Sequence, residues 1–206
     1  MSIETNLYNF FYDKFEGLNT KVKRLREERD LKGIDKIEAR FKRDDKTMKY
    51  IEIGCWLGTS LGLFGLANDV TSANSSDIGL KVGTTLSVMT PFLATHFHQS
   101  RKMEGMLLDK LLGKNLEDLE PRKVRRSQNI GRYSHLAGVT TLLTFVGQAG
   151  YELAKEHPLL ASALGGIGGF CYYHNFIEGY RALYTSMGDF ILGERRHQNK
   201  PEGSSK

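Results

Sequence analysis

The chain carries little of what covalent or redox chemistry needs. It has two cysteines, Cys55 and Cys171, far apart and without a CxxC partner. That spacing gives no disulfide framework and no thiolate cluster, and both read as small buried hydrophobes. No Walker loop, no GxGxxG after a strand, no GxSxG and no HExxH is present, so the usual nucleotide, dinucleotide, hydrolase and zinc-protease sites have no basis in the sequence. Residues 1–49 lack an apolar h-region and a small-residue cleavage site, and Glu4 and Asp13 disfavour a transit peptide. The expectation is therefore a non-enzyme without a cofactor.

The most informative absence is of charge. Mean hydropathy is −0.38, the average of a soluble protein, but the charge is segregated. Of 29 Lys and Arg, 13 precede Tyr50, 9 lie from Arg101 to Arg132, and 5 follow Tyr180. Between those blocks, Val82–Ser100, Tyr133–Tyr151 and Pro158–Ile177 contain no Asp, Glu, Lys or Arg, and Tyr50–Asn68 contains Glu52 alone. Each window approaches the roughly 20 residues that cross about 30 Å of hydrocarbon. A surface helix of a soluble protein would show a charged face every three or four residues, and these do not. The sequence thus predicts an all-α integral membrane four-helix bundle with spans at about 50–68, 79–100, 133–154 and 158–180. A soluble four-helix bundle buried all round is the alternative, supported by the modest apolarity of the windows and by Pro91, Gln148 and Asn175 inside them.

Small residues recur every fourth position in these windows: Gly54, Gly58 and Gly62 in the first, Gly79 and Gly83 in the second, and Ala161, Gly165 and Gly169 in the fourth. At helical pitch such spacing lays a smooth stripe along which another helix can pack closely. Four crossings leave both termini on one side. That side holds nearly all the cations, so the positive-inside rule places both termini in the cytoplasm or the equivalent compartment of an organelle.

The flanking segments read as helical and basic. In residues 1–49, Leu7, Phe11, Leu18, Val22 and Leu25 recur at helical intervals beside Lys21, Lys23, Arg24 and Arg26, with Gly33 expected to interrupt before a shorter helix around Ile34, Ile37 and Phe41. This basic amphipathic segment suits either an anionic leaflet or a hairpin packed on the rest of the chain. The near-side loop, 101–132, is expected to continue the second span as an amphipathic helix to Gly113. A short turn capped by Asn115 would follow, stopped by Pro121, and then the basic cluster Arg122, Lys123, Arg125 and Arg126. That cluster fits a membrane-surface topology determinant, with anionic lipid headgroups as its partner; nucleic acid lacks an accompanying aromatic or motif signature. Residues 181–193 read as an amphipathic stretch and 194–206 as a disordered tail.

One constellation has metal-ligating chemistry. Glu52, His96, His98, His135, His174 and Glu178 all fall at the near-side end of the proposed bundle, where imidazoles and carboxylates at one depth are what a haem or iron site requires. No two of them form a metal-specific motif, and histidines at helix ends also belong to the headgroup belt with Tyr133, Tyr172, Tyr173 and Tyr180. Three functional classes follow. A non-enzymatic subunit, scaffold or membrane-shaping protein would act through helix packing, as a homo-oligomer or in a larger membrane complex. A small channel or transporter would be lined by Thr84, Thr85, Thr140, Thr144 and Gln148. A membrane redox protein would use the histidines.

Overall fold

The first helix ends where its sequence supplies a stop and a restart in four residues. In the computed structural model, which describes residues 3–71, 77–114, 119–156, 158, 169 and 177–195, α1 (Ile3–Glu27) closes on Arg29, whose φ of 56° lets the Asp30 amide reach back to the Leu25 carbonyl (2.8 Å). Such a left-handed cap satisfies carbonyls that the helix leaves orphaned. Asp30 then caps the next helix, its carboxylate accepting from the Gly33 amide at 3.0 Å. Gly33 therefore does not interrupt the segment, as its identity suggested. It sits in the first turn of α2 (Leu31–Thr71), where a Cβ would lie 2.6 Å from the Asp30 carboxylate. From there α2 runs unbroken through the expected short helix and the whole first apolar window, about 60 Å at 1.5 Å per residue.

Two more long helices follow. α3 (Asp77–Leu112) stops at Gly113, with φ 61°, where the sequence expected it to stop. The Arg26 guanidinium donates to the Leu111 carbonyl there, 3.2 Å away. α4 (Pro121–Glu156) begins at the proline expected to end a turn. The correction has a simple cause: proline needs no amide partner in the first turn and its φ is already helical, so it starts helices as readily as it stops them. The supposed large loop 101–132 is thus mostly the end of α3 and the start of α4. The expected Asn115 cap lies outside the described residues, as do most of the fourth window and the tail beyond Arg195. The last described helix is α5 (Gly179–Leu192), closed by Gly193 at φ 71°. No strand occurs among the described residues; the protein is all-α.

The cross-helix contacts fix the topology. Glu38 meets Lys114, Glu52 meets Arg101 and Gly62 meets Gly83, so α2 and α3 are antiparallel. His96 meets His135 and Leu93 meets Gly138, so α3 and α4 are antiparallel too. α5 lies against the start of α4, and α1 lies against α5, with Glu4 at Arg181 and Tyr12 at Phe190.

The core sits at the charged end. Tyr8 and Tyr12 of α1, Met103, Met106, Leu107 and Leu111 of α3, Val124 of α4, and Tyr184, Met187, Phe190 and Ile191 of α5 form one buried cluster. Helix α5, over the stretch read as amphipathic, is buried on nearly every side, from Ala182 to Ile191. The apolar stripe of α1 likewise packs inward, onto α5 and α3. Where the windows lie, the pattern inverts. Tyr50, Ile51, Ile53, Trp56, Leu57, Leu61, Leu63 and Phe64 of α2 are exposed, Phe64 at 74%, together with Val82, Val88 and Phe92 of α3 and Tyr133 and Leu136 of α4. Among the exposed large hydrophobics of the described residues, only Phe10 and Leu31 fall elsewhere.

Replacing Arg29 tests the turn between α1 and α2. A non-glycine residue in the left-handed region is strained, so Arg29→Gly raises stability by about 0.5 to 1 kcal/mol, read as a shifted unfolding midpoint of the detergent-solubilised protein.

Candidate functional site

Cross-helix ion pairs, hydrogen bonds and ring contacts concentrate at the junction between the packed, charged head and the exposed apolar part of α2, α3 and α4. On the α2/α3 seam, Arg101 bridges two carboxylates. Its Nε donates to Asp45 at 2.8 Å and an Nη donates to Glu52 at 2.8 Å, while the other Glu52 oxygen lies 3.2 Å from His98 Nδ1. Glu52, the one charged residue of the first window, is therefore neutralised by an arginine at the end of the second, and its side chain is only 16% exposed. The hydrogen bond to Asp45, reinforced by that to Glu52, pushes the Arg101 pKa up against the opposing effect of burial.

Further along the same seam the helices approach backbone to backbone. A Cβ on Gly62 would lie 2.8 Å from the Ser87 amide nitrogen and 2.9 Å from the Gly83 carbonyl, and one on Gly58 would lie 3.2 Å from Thr90. The Thr59 and Thr90 hydroxyls pair across the seam at 2.7 Å. Of the expected packing residues, Gly58, Gly62 and Gly83 occupy this contact. Gly54 does not, having no described neighbour within 4 Å of a Cβ; Gly169, in the fourth window, likewise has no described neighbour within that distance. Helical rotation explains Gly54: each four-residue step turns about 40° beyond a full circle, so a stripe spanning eight residues drifts off a straight seam. Gly79 lies in α3, while Ala161 and Gly165 are outside the described residues.

The candidate metal ligands divide between two seams. His96 and His98 are two positions apart on α3, about 200° around the helix, and they face different neighbours. His98 is exposed beside Glu52, whereas His96 is buried against α4 and α5. There the His96 and His135 rings lie 4.7 Å apart, and Tyr180 stacks on His135 at 4.2 Å. The Tyr184 hydroxyl donates to the His96 carbonyl at 3.2 Å and meets Ser100 Oγ at 2.5 Å. Burial drives the Tyr184 pKa well above the phenolic range, so this hydroxyl remains a neutral donor. The cluster is an aromatic, hydrogen-bonded joint of three helices. Glu178 opens α5 and His174 is outside the described residues; among those described, no three His, Cys, Asp or Glu side chains converge as a metal site.

A third cluster fastens α5 to α4, and sequence reasoning missed it. Asp189 is 1% exposed and takes an ion pair from Arg125, which also reaches Glu194 and donates to the Gln128 side-chain oxygen Oε1 at 2.9 Å. Gln128 completes the network by donating to the Tyr184 and Thr185 carbonyls at 3.2 and 3.3 Å. Burial lowers the Arg125 pKa, but the charges and hydrogen bonds of Asp189 and Glu194 outweigh it, and the net direction is up. Arg125 is thus drawn into the fold, unlike the surface role expected of it; Arg122, Lys123 and Arg126 are exposed on the first turns of α4. The signal in the sequence was Asp189 itself, a lone acid within an apolar stretch, which has to find a cation once buried.

Glu104 is the remaining titratable group of the junction. It lines a cleft of about 200 Å³ between α2 and α3 with Phe41, Asp45 and Arg101. Burial, reinforced by the carboxylates of Asp44 and Asp45, raises its pKa to about 7.

No protein-family model, curated protein or solved structure matches this chain.

Two outcomes follow from these clusters. Arg125→Met leaves Asp189 buried without its cation and lowers stability by about 2 to 4 kcal/mol, whereas Arg125→Met with Asp189→Leu recovers most of the loss, because removing both charges removes the desolvation cost; a double-mutant cycle on unfolding midpoints measures the coupling. Glu104 binds its proton more tightly folded than unfolded, so the stability it contributes is fully present below about pH 4.5 and is lost as pH rises through about 7. Thermal unfolding between pH 5 and 8 shows a smaller pH dependence in Glu104→Gln than in the wild type.

Proposed function

We propose that the protein is an integral membrane four-helix bundle, with both termini on the cytoplasmic side, that works without catalysis as a subunit, scaffold or membrane-shaping protein through helix packing. One observation carries this reading. The large hydrophobics of the charge-free windows lie on the outside of the molecule, while the core is built from the basic, water-compatible segments. A soluble domain places its apolar residues the other way round, and an exposed apolar face of this extent calls for lipid or for another protein. Among the described residues, Leu31–Ala67 contains the one helix long and apolar enough to cross a membrane, and only 6% of its apolar window is buried. The second and third crossings are supported by the exposed apolar residues of α3 and α4; the fourth rests on the sequence of residues 158–180.

The helical state also suits that solvent. Hydrocarbon offers no hydrogen bonds, and the long helices α2, α3 and α4 pair most of their backbone groups internally. Pro91 stands inside α3, where the Thr90 and Thr95 hydroxyls bond to the Leu86 and Pro91 carbonyls. The close α2/α3 seam at Gly62 and Gly83 is the packing that membrane helices use in place of a hydrophobic drive.

Carbonate-washed membranes retain the protein, and tags at its two ends report the same compartment. Crosslinking in membranes, followed by native mass spectrometry in mild detergent, yields a discrete homo-oligomer or a stoichiometric membrane partner. Monomers alone, with no partner, would overturn the packing role while leaving the membrane assignment to the fractionation.

A further inference from the structure

We infer that the cleft between α4 and the start of α5 binds the headgroup of an anionic phospholipid, with Arg132 and Arg181 as its phosphate ligands. The inference rests on the membrane reading above and adds to it a defined site. The cleft is about 260 Å³ and open on one side. Ligand pockets usually run from about 300 to 1,000 Å³, so this one takes a headgroup and leaves acyl chains outside.

Position supplies the first argument. Arg132 is the last cation before the third window, and Arg181 is the first after the fourth. The two therefore stand at the same boundary between the apolar and charged parts of the molecule, where lipid phosphates lie, and they line one cleft. Basic pockets between membrane helices on the cytoplasmic side are suited to anionic headgroups. Guanidinium forks match phosphate oxygens in pairs, which a lone lysine cannot do.

The walls supply the second. Tyr180, stacked on His135, forms a flat side of the cleft, and none of the described residues lining it is Asp or Glu. Leu136, one turn deeper on α4 than Arg132, is 42% exposed and continues the cleft onto the apolar belt, giving an acyl chain a surface to follow. The rim is thus cationic and the exit apolar, the order of groups in a glycerophospholipid. Arg181 also meets Glu4 at 3.1 Å, but both side chains are substantially exposed and the pair is exchangeable for a phosphate.

This site differs from the basic turn at Arg122, Lys123 and Arg126, whose side chains are exposed on the first turns of α4. Native mass spectrometry of the full chain from mild detergent, with added phosphatidylglycerol, phosphatidylcholine or inorganic phosphate, separates the possibilities. One phosphatidylglycerol is retained per chain, at least tenfold more tightly than phosphatidylcholine. Arg132→Gln with Arg181→Gln abolishes that preference, and Arg122→Gln, Lys123→Gln and Arg126→Gln together leave it intact. Equal retention of the two lipids by the wild type overturns the site without recourse to any variant. Displacement of phosphatidylglycerol by millimolar inorganic phosphate makes it a free-phosphate site and likewise overturns the proposal. Loss of the preference in the triple variant assigns binding to the surface charge instead. Failure of the membrane reading itself appears separately, as protein released by the carbonate wash.

Discussion

The bridge from Arg101 to Asp45 and Glu52 is the contact on which the layout depends. Helices α2 and α3 each carry a charged half and an apolar half on one continuous rod, so their relative register decides whether like halves lie side by side. The bridge fixes that register at the point of change. About 15 Å further along α2, the backbones close up at Gly62 and Ser87, where any side chain would force them apart. An ion pair half in water is worth little by itself. Here it also removes the one bare charge from an otherwise neutral window, and that value grows as the surroundings become less polar.

The head is assembled from pieces far apart in sequence. Helix α5 is its centre: Phe190 meets Tyr12 and Phe15 of α1, Tyr184 packs on Gly131 of α4 and reaches Ser100 of α3, and Asp189 holds Arg125. A Cβ at Gly131 would stand 2.5 Å from the Tyr184 ring, so this glycine admits the tyrosine that joins three helices. Polar groups buried at this density stabilise only when each is satisfied, and they then specify one arrangement.

Much of this was legible from residue types alone. Segregated charge marked the three long helices, because a helix that changes solvent changes composition at the same place. The stop at Gly113 was readable from a glycine after an apolar heptad-like run. Other features depended on partners that spacing does not reveal. Gly33 looked like a break because glycine disfavours helix, yet Asp30 three residues earlier is a cap that makes the helix begin there. Arg125 looked like its three basic neighbours until Asp189, 64 residues on, claimed it. The histidines shared a depth in the sequence but not a direction, since depth is set by position along a helix and direction by rotation around it. Composition marked the first window as apolar but left open whether lipid or protein surrounds it; its exposure is a finding of the structure.

The pairing of α1 with α5 sets an order of events in biosynthesis. Helix α1 leaves the ribosome before α5, which emerges only after every apolar window between them has been translated. Until then Tyr12 and Phe15 lack Phe190, the α5 ring on which they pack, and this face remains an open surface for chaperones. Translation of the windows thus precedes closure of the head, so a chain stalled or truncated before residue 179 is marked as unfinished by the face that α5 would have covered.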